Sequence, residues 1–113
     1  MIKVIEEELL TLPEVKRLLQ EKAKRMELSS TEQLTLDYAT KFSKLEAEDA
    51  KTLLEKLLEF GMKKETAVQI VNILPENEEE LRTLLMMEEK FFSGEELKAM
   101  IELIGKFRLK SSS

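Results

Sequence analysis

The chain has 113 residues, room for one domain or one domain with an arm, and folding buries roughly 65% of the unfolded surface, enough for a single modest core. Charged residues make up 36% and hydrophobic residues 42%, and three Gly with two Pro are too few for a multi-turn β-sandwich, so the fold class is all-α. The absence of Cys and His removes disulfides, thiolate metal sites, the commonest metal ligand and the usual neutral-pH acid-base group, and a net charge of −5 does not steer the whole chain toward phosphate.

No apolar run approaches the ~20 residues of a membrane span, and no signal-peptide core opens the chain, so the expectation is a cytoplasmic protein with no membrane partner. No glycine-rich loop cradles phosphate, which leaves no cofactor and no enzyme to argue for.

Residues 1–10, MIKVIEEELL, form the odd segment. Ile2 and Val4 alternate with Lys3, while Ile5 and Leu9 fit a helical step, so periodicity leaves a short strand and a frayed turn both open. A strand here has no partner within the chain and must find its ladder elsewhere; disorder is the bland alternative.

A first helix is expected over Leu12 to Met26. Thr11 and Glu14 form a capping box, and Pro13 sits in the first turn, where its missing N–H costs nothing. Val15, Leu18, Leu19 and Lys22 mark one face. ELSS at 27–30 connects to a second helix starting at Ser29 or Ser30, with boxes to Glu32 or Gln33, along which Leu34, Tyr38, Phe42 and Leu45 recur every three or four residues. The third helix, about Ala47 to Phe60, carries Ala50, Leu53, Leu54, Leu57, Leu58 and Phe60 on a broad face suited to a bundle centre, and Gly61 is placed as its left-handed stop.

The fourth helix, about Lys64 to Leu74, bears Ala67, Ile70, Val71 and Leu74 in one stripe and is closed by Pro75. The fifth, about Glu78 to Glu88, turns Leu81, Leu84 and Leu85 inward. Its sequential Glu78, Glu79 and Glu80 fan around a helix start, where the macrodipole explains them more simply than a metal does. Met86 and Met87 read as core fillers or as an adaptable contact surface, core filling being the commoner use. Of Phe91 and Phe92, one ring is expected inward and the other against the turn. Ser93 with Glu96 then caps a sixth helix with Leu97, Met100, Ile101, Ile104 and Phe107 inward, and LKSSS closes the chain as a tail.

Two basic clusters remain. Lys16, Arg17, Lys22, Lys24 and Arg25 oppose only Glu21, and Lys106, Arg108 and Lys110 follow near the end. Lys22, Lys24, Arg25, Lys106, Arg108 and Lys110 are candidates for phosphate contact; against this, charged helix faces usually only solvate. No aromatic residues interleave the first cluster for base stacking.

Three blocks in fixed order resemble a family of archaeal DNA-directed RNA polymerase stalk subunits, the counterparts of the fourth subunit of eukaryotic RNA polymerase II. They are TLPEVKRLL at 11–19, EQLTLDYATKFSKL at 32–45, and Leu57 through Arg82 with its Gly61, Ala67, Ile70, Leu74-Pro75 and Leu81-Arg82 pattern. The ending EELKAMIELIGKFR is similar too, with Phe107 where Tyr is more usual. The resemblance implies about six helices with a strand-like N-terminal arm. It also implies a C-terminal half similar to the small helical domain of RecQ helicases and RNase D. Residues 1–45 would form a partner-docking region and 46–113 a helical domain.

The same resemblance implies a heterodimer with the other stalk subunit of the polymerase, the counterpart of the seventh subunit of the eukaryotic enzyme. The stalk stands on the polymerase core, aids promoter opening, contacts initiation factors and guides nascent RNA. By position, residues 2–9 would join the partner's sheet, and Ile2, Val4, Ile5, Leu9, Leu12, Leu34 and Tyr38 would bind it. A stand-alone helical nucleic-acid-binding module and a generic protein adaptor are the other readings.

Overall fold

A computed structural model describes residues 10–112, and these form six α-helices and one 3₁₀ turn, with no strand among them. In chain order they are α1 (Leu12–Ala23), α2 (Ser30–Phe42), α3 (Ala47–Leu58), α4 (Lys64–Ile73), α5 (Glu78–Leu84), the 3₁₀ turn (Leu85–Met87) and α6 (Gly94–Ser112). The arm residues Ile2, Val4, Ile5 and Leu9 lie outside the described residues.

Side-chain caps set the starts of α1, α2, α5 and α6, whereas α3 and α4 begin without one. Thr11 closes a box with Glu14, Ser29 with Glu32, and Ser93 with Glu96, each through reciprocal side-chain and backbone bonds of 3.0–3.4 Å. This selects Ser29 over Ser30 at the start of α2. Asn77 caps α5 by accepting from the Glu80 N–H at 2.9 Å. The ends fall earlier than apolar periodicity suggests. α1 stops at Ala23, where the Lys24 and Arg25 N–H groups turn back to Glu21 and Lys22. α3 stops at Leu58, where Phe60 and Gly61 bond three residues back, and Gly61 takes φ +93°. α5 gives way after Leu84 to the 3₁₀ turn instead of running to Glu88.

The α4 stop is more unusual. Leu74 itself adopts φ 52°, a left-handed conformation that costs a residue with a Cβ about 1–2 kcal/mol. Its buried side chain holds it there, Pro75 bars continuation, and the Arg108 guanidinium donates to the carbonyls of Leu74 at 2.8 Å and Pro75 at 2.7 Å.

Two apolar clusters result. The larger joins α3 to α6 through Leu53, Leu57, Ile70, Val71, Leu81, Met100 and Ile104, with Leu45, Met62 and Phe92 closing its edges. The smaller is Val15, Leu19 and Ala39 between α1 and α2, flanked by Leu10, Leu12, Leu28 and Leu36. Polar ties cross from the first helix pair to the rest: Leu12 N–H to Asn72 Oδ1 at 3.0 Å, Arg17 to Glu48 at 3.0 Å, and Lys44 Nζ to the Ile73 carbonyl at 2.7 Å. No helix of the described residues is long and apolar enough to cross a membrane.

Candidate partner-docking face

The second helix is built inside out. Its buried residues are Glu32, Thr35 and Ala39, a small and polar set that lets α1 approach closely. Thr35 returns its hydroxyl to the Thr31 carbonyl at 2.9 Å, and Glu32 accepts from both the Ser29 N–H and the Lys22 ammonium. That ammonium first, and then the Ser29 N–H, hold the Glu32 carboxyl down from 4.5 to about 2, more than offsetting its partial desolvation.

The large apolar residues lie to one side of that contact. Leu34 is 70% exposed, Tyr38 56% and Phe42 45%, so of the row expected from periodicity only Leu45, past the end of α2, enters the core. At ~100° per residue the exposed row lies about a quarter-turn from the seam with α1, a second seam on one helix. The Tyr38 and Phe42 rings meet at a tilt of 44° with centroids 4.6 Å apart. Beside them opens a groove of about 610 Å³ lined by Leu12, Tyr38, Phe42, Lys44, Gln69, Asn72 and Ile73. The Leu12–Asn72 and Lys44–Ile73 bonds hold its walls, bringing the start of α1 against the end of α4. Of the residues expected to bind a partner, Leu12, Leu34 and Tyr38 are thus brought to one side of the molecule.

The basic candidates divide. Lys22 is bound to Glu32, Arg108 clamps the α4 turn, and Lys110 pairs with Asp49 at 2.9 Å. All three have structural work. Lys24 and Arg25 are exposed at the end of α1, and Lys106 is exposed on α6. Among the described residues no group of acidic side chains is arranged to hold a metal ion.

The sequence model of the RNA polymerase Rpb4 family matches residues 9–108. The chain belongs to that family. A DNA-directed RNA polymerase subunit Rpo4 from Methanocaldococcus jannaschii is 35% identical over 105 residues, which cover 93% of this chain and 89% of that protein. The Rpo4 subunit of Saccharolobus solfataricus is 26% identical over 105 residues, covering 92% and 93%.

In this Rpb4-family chain the groove also takes in Phe42 and Ile73, which the set expected from sequence does not contain. Phe42 continues the four-residue step of Leu34 and Tyr38, so a signal for it exists. Ile73 carries none, because only the packing of α4 against the start of α1 brings it to the groove. Met86 and Met87 correct an expectation: both are exposed and fill no core gap. Phe92 turns inward as one of the pair should, whereas Phe91 projects into solvent and does not close the turn.

Proposed function

We propose that this chain is a non-catalytic stalk subunit of a DNA-directed RNA polymerase, acting as a heterodimer with the polymerase's other stalk subunit, the seventh-subunit counterpart. The observation that carries the reading is the outward row Leu34, Tyr38 and Phe42 on a helix whose inner face is already occupied. These side chains are already partly covered, so burying the remainder contributes less than the about 1.5–3 kcal/mol of a fully exposed one, but three of them on one helix offer a partner the centre of a binding surface. Residues 2–9 lead into the head of α1 and add to the partner's sheet as a strand.

In this reading residues 1–45 dock and 46–113 project as the helical domain. The heterodimer supports promoter opening and contacts initiation factors. Exposed Lys24, Arg25 and Lys106 add weak phosphate contacts to emerging RNA.

The test has two parts. The tagged chain, captured from native extract, should bring down the large polymerase subunits; their absence sinks the assignment. With the purified seventh-subunit counterpart, Leu34→Asp with Tyr38→Asp should raise Kd by two or more decades, and deletion of residues 1–10 should also weaken the complex. A Kd within error of wild type in both variants would remove this face from the interface.

A further inference from the structure

The chain has a second exposed apolar surface, in the segment between α5 and α6, and it is built differently from the α2 row. Met86 is 76% exposed, Met87 82% and Phe91 86%, all within six residues. Looseness does not explain this. Leu85 and Phe92, on either side, are buried in the large cluster. Between them Glu88 Oε1 accepts from the Lys63 N–H at 2.6 Å, and the Lys90 ammonium donates to the Phe60 carbonyl, pinning the segment to the turn between α3 and α4. A segment fixed at four points still presents three large apolar side chains to water, and apolar residues concentrated in this way mark an interaction surface.

The surrounding charge says what fits. Residues 76–89 contain six Glu against Arg82, so this stretch holds the whole net charge of −5 and the rest of the chain is neutral. Glu79 and Glu80 lie seven positions before Met86 and Met87, about two turns or ~10 Å down the same faces, within one Debye length at low salt. Glu89, next to the anchored Glu88, is exposed and adds a carboxylate at the other side of the methionines.

We propose that the surface of Met86, Met87 and Phe91 docks a basic amphipathic helix of a second protein, whose apolar face covers the three side chains and whose lysines and arginines meet the glutamates. Methionine suits this task, because its unbranched thioether repacks around differently shaped anchors. The described residues offer no strand edge, so recognition runs through side chains and favours a helix over an added strand. Nucleic acid is disfavoured, since its phosphates would approach the stretch that carries the net negative charge. A second copy of the chain would set two such stretches against each other.

The methionines make the test direct. In the full chain carrying ¹³C-methyl methionine, Met86 and Met87 report on this surface, exposed Met26 on the α1–α2 end, and buried Met62 and Met100 on the core. The probe is a synthetic amphipathic peptide of about 18 residues with leucine on one face and lysine and arginine on the other. Controls are its twin with glutamate replacing the basic residues, and a short oligo-uridine. The expected result is that the basic peptide shifts Met86 and Met87 and leaves Met26 in place, with affinity falling as salt rises. Met86→Ser, Met87→Ser and Phe91→Ser together should weaken binding at least roughly fivefold. Glu79→Gln with Glu89→Gln, which leaves the apolar surface intact, should flatten the salt dependence. Shifts at Met26 in place of Met86 and Met87, equal binding of the acidic twin, RNA-induced shifts at Met86 and Met87, or a salt dependence unchanged by the glutamine variant would each overturn the proposal.

Discussion

The α1–α2 pair and the α3–α6 bundle solve the burial problem in opposite ways. In the bundle, leucines and isoleucines at three- and four-residue steps meet across four helices, and large side chains such as Leu53, Ile70, Met100 and Ile104 are fully enclosed. In the pair, the buried apolar cluster is Val15, Leu19 and Ala39, and large apolar residues of α2 remain outside. Fixing a residue's backbone costs roughly 1–2 kcal/mol, and a helix offsets that by packing. The bundle does so internally. The pair manages only part of it, and leans on two capping boxes, an ion pair and polar ties to α3 and α4 for the rest. Apolar surface left unused in this way is what a subunit has available for another chain.

Core truncation tests that contrast most severely. Leu53→Ala in the bundle should cost about 3–4 kcal/mol, because the surrounding helices cannot collapse into the cavity. Leu19→Ala is equally buried, yet it lies in a small cluster flanked by partly exposed leucines that can move in, and should cost about 2–3 kcal/mol. Chemical denaturation of both variants measures the difference. A Leu19→Ala penalty as large as that of Leu53→Ala would mean that the pair is no weaker than the bundle.

A smaller effect comes from the joint that orders the bundle. Gly61 has φ +93°, and a Cβ there would meet Lys90 Nζ at 2.6 Å. Gly61→Val therefore brings both a left-handed β-branched residue and the displacement of Lys90 from the Phe60 carbonyl. The expected loss is about 1–2 kcal/mol, seen as a Tm lower by several degrees. Gly61→Ala should fall between wild type and valine. An unaltered Tm for the valine variant would show that the turn between α3 and α4 can be rebuilt without its left-handed residue.

Legibility from sequence follows the same division. Helix starts are readable because capping is local: Thr11 with Glu14, Ser29 with Glu32 and Ser93 with Glu96 each act over three residues. The inward stripes of α3, α4 and α6 are readable because a self-contained bundle makes periodicity and burial coincide. On α2 that inference fails. The 3.6-residue period of Leu34, Tyr38 and Phe42 identifies a face correctly, but periodicity cannot say whether the face is covered from within the chain. Arg108 shows a different limit. Its charge suggests phosphate, yet its role depends on a turn more than thirty residues earlier where Leu74 takes a left-handed conformation, which no local pattern announces. Met86 and Met87 show the reverse: at ~100° per residue they fall opposite the buried Leu81 and Leu85, so their exposure follows the helical period, and the core-filling expectation rested on residue type alone.

The smallest expected effect is also the most selective, because acid should loosen the pair before it touches the bundle. Glu32 is held to about 2, chiefly by the Lys22 ammonium and then by the Ser29 N–H, so its carboxylate favours the folded form. The group binds its proton more readily in the unfolded chain, whose value is near 4.5. Its stabilisation is therefore complete above that pH, declines as pH falls below it, and is gone once pH passes through about 2. Hydrogen exchange resolved by helix should show α2 amides losing protection between these limits more steeply than those of α4. Glu32→Gln retains a side chain that can close the capping box but has no charge to hold Lys22, so in that variant the extra acid sensitivity of α2 should disappear. A Glu32 carboxyl that titrates near 4.5 in the folded protein, or a glutamine variant as acid-sensitive as wild type, would place the weakness of the pair elsewhere than in the Lys22–Glu32 contact between α1 and α2.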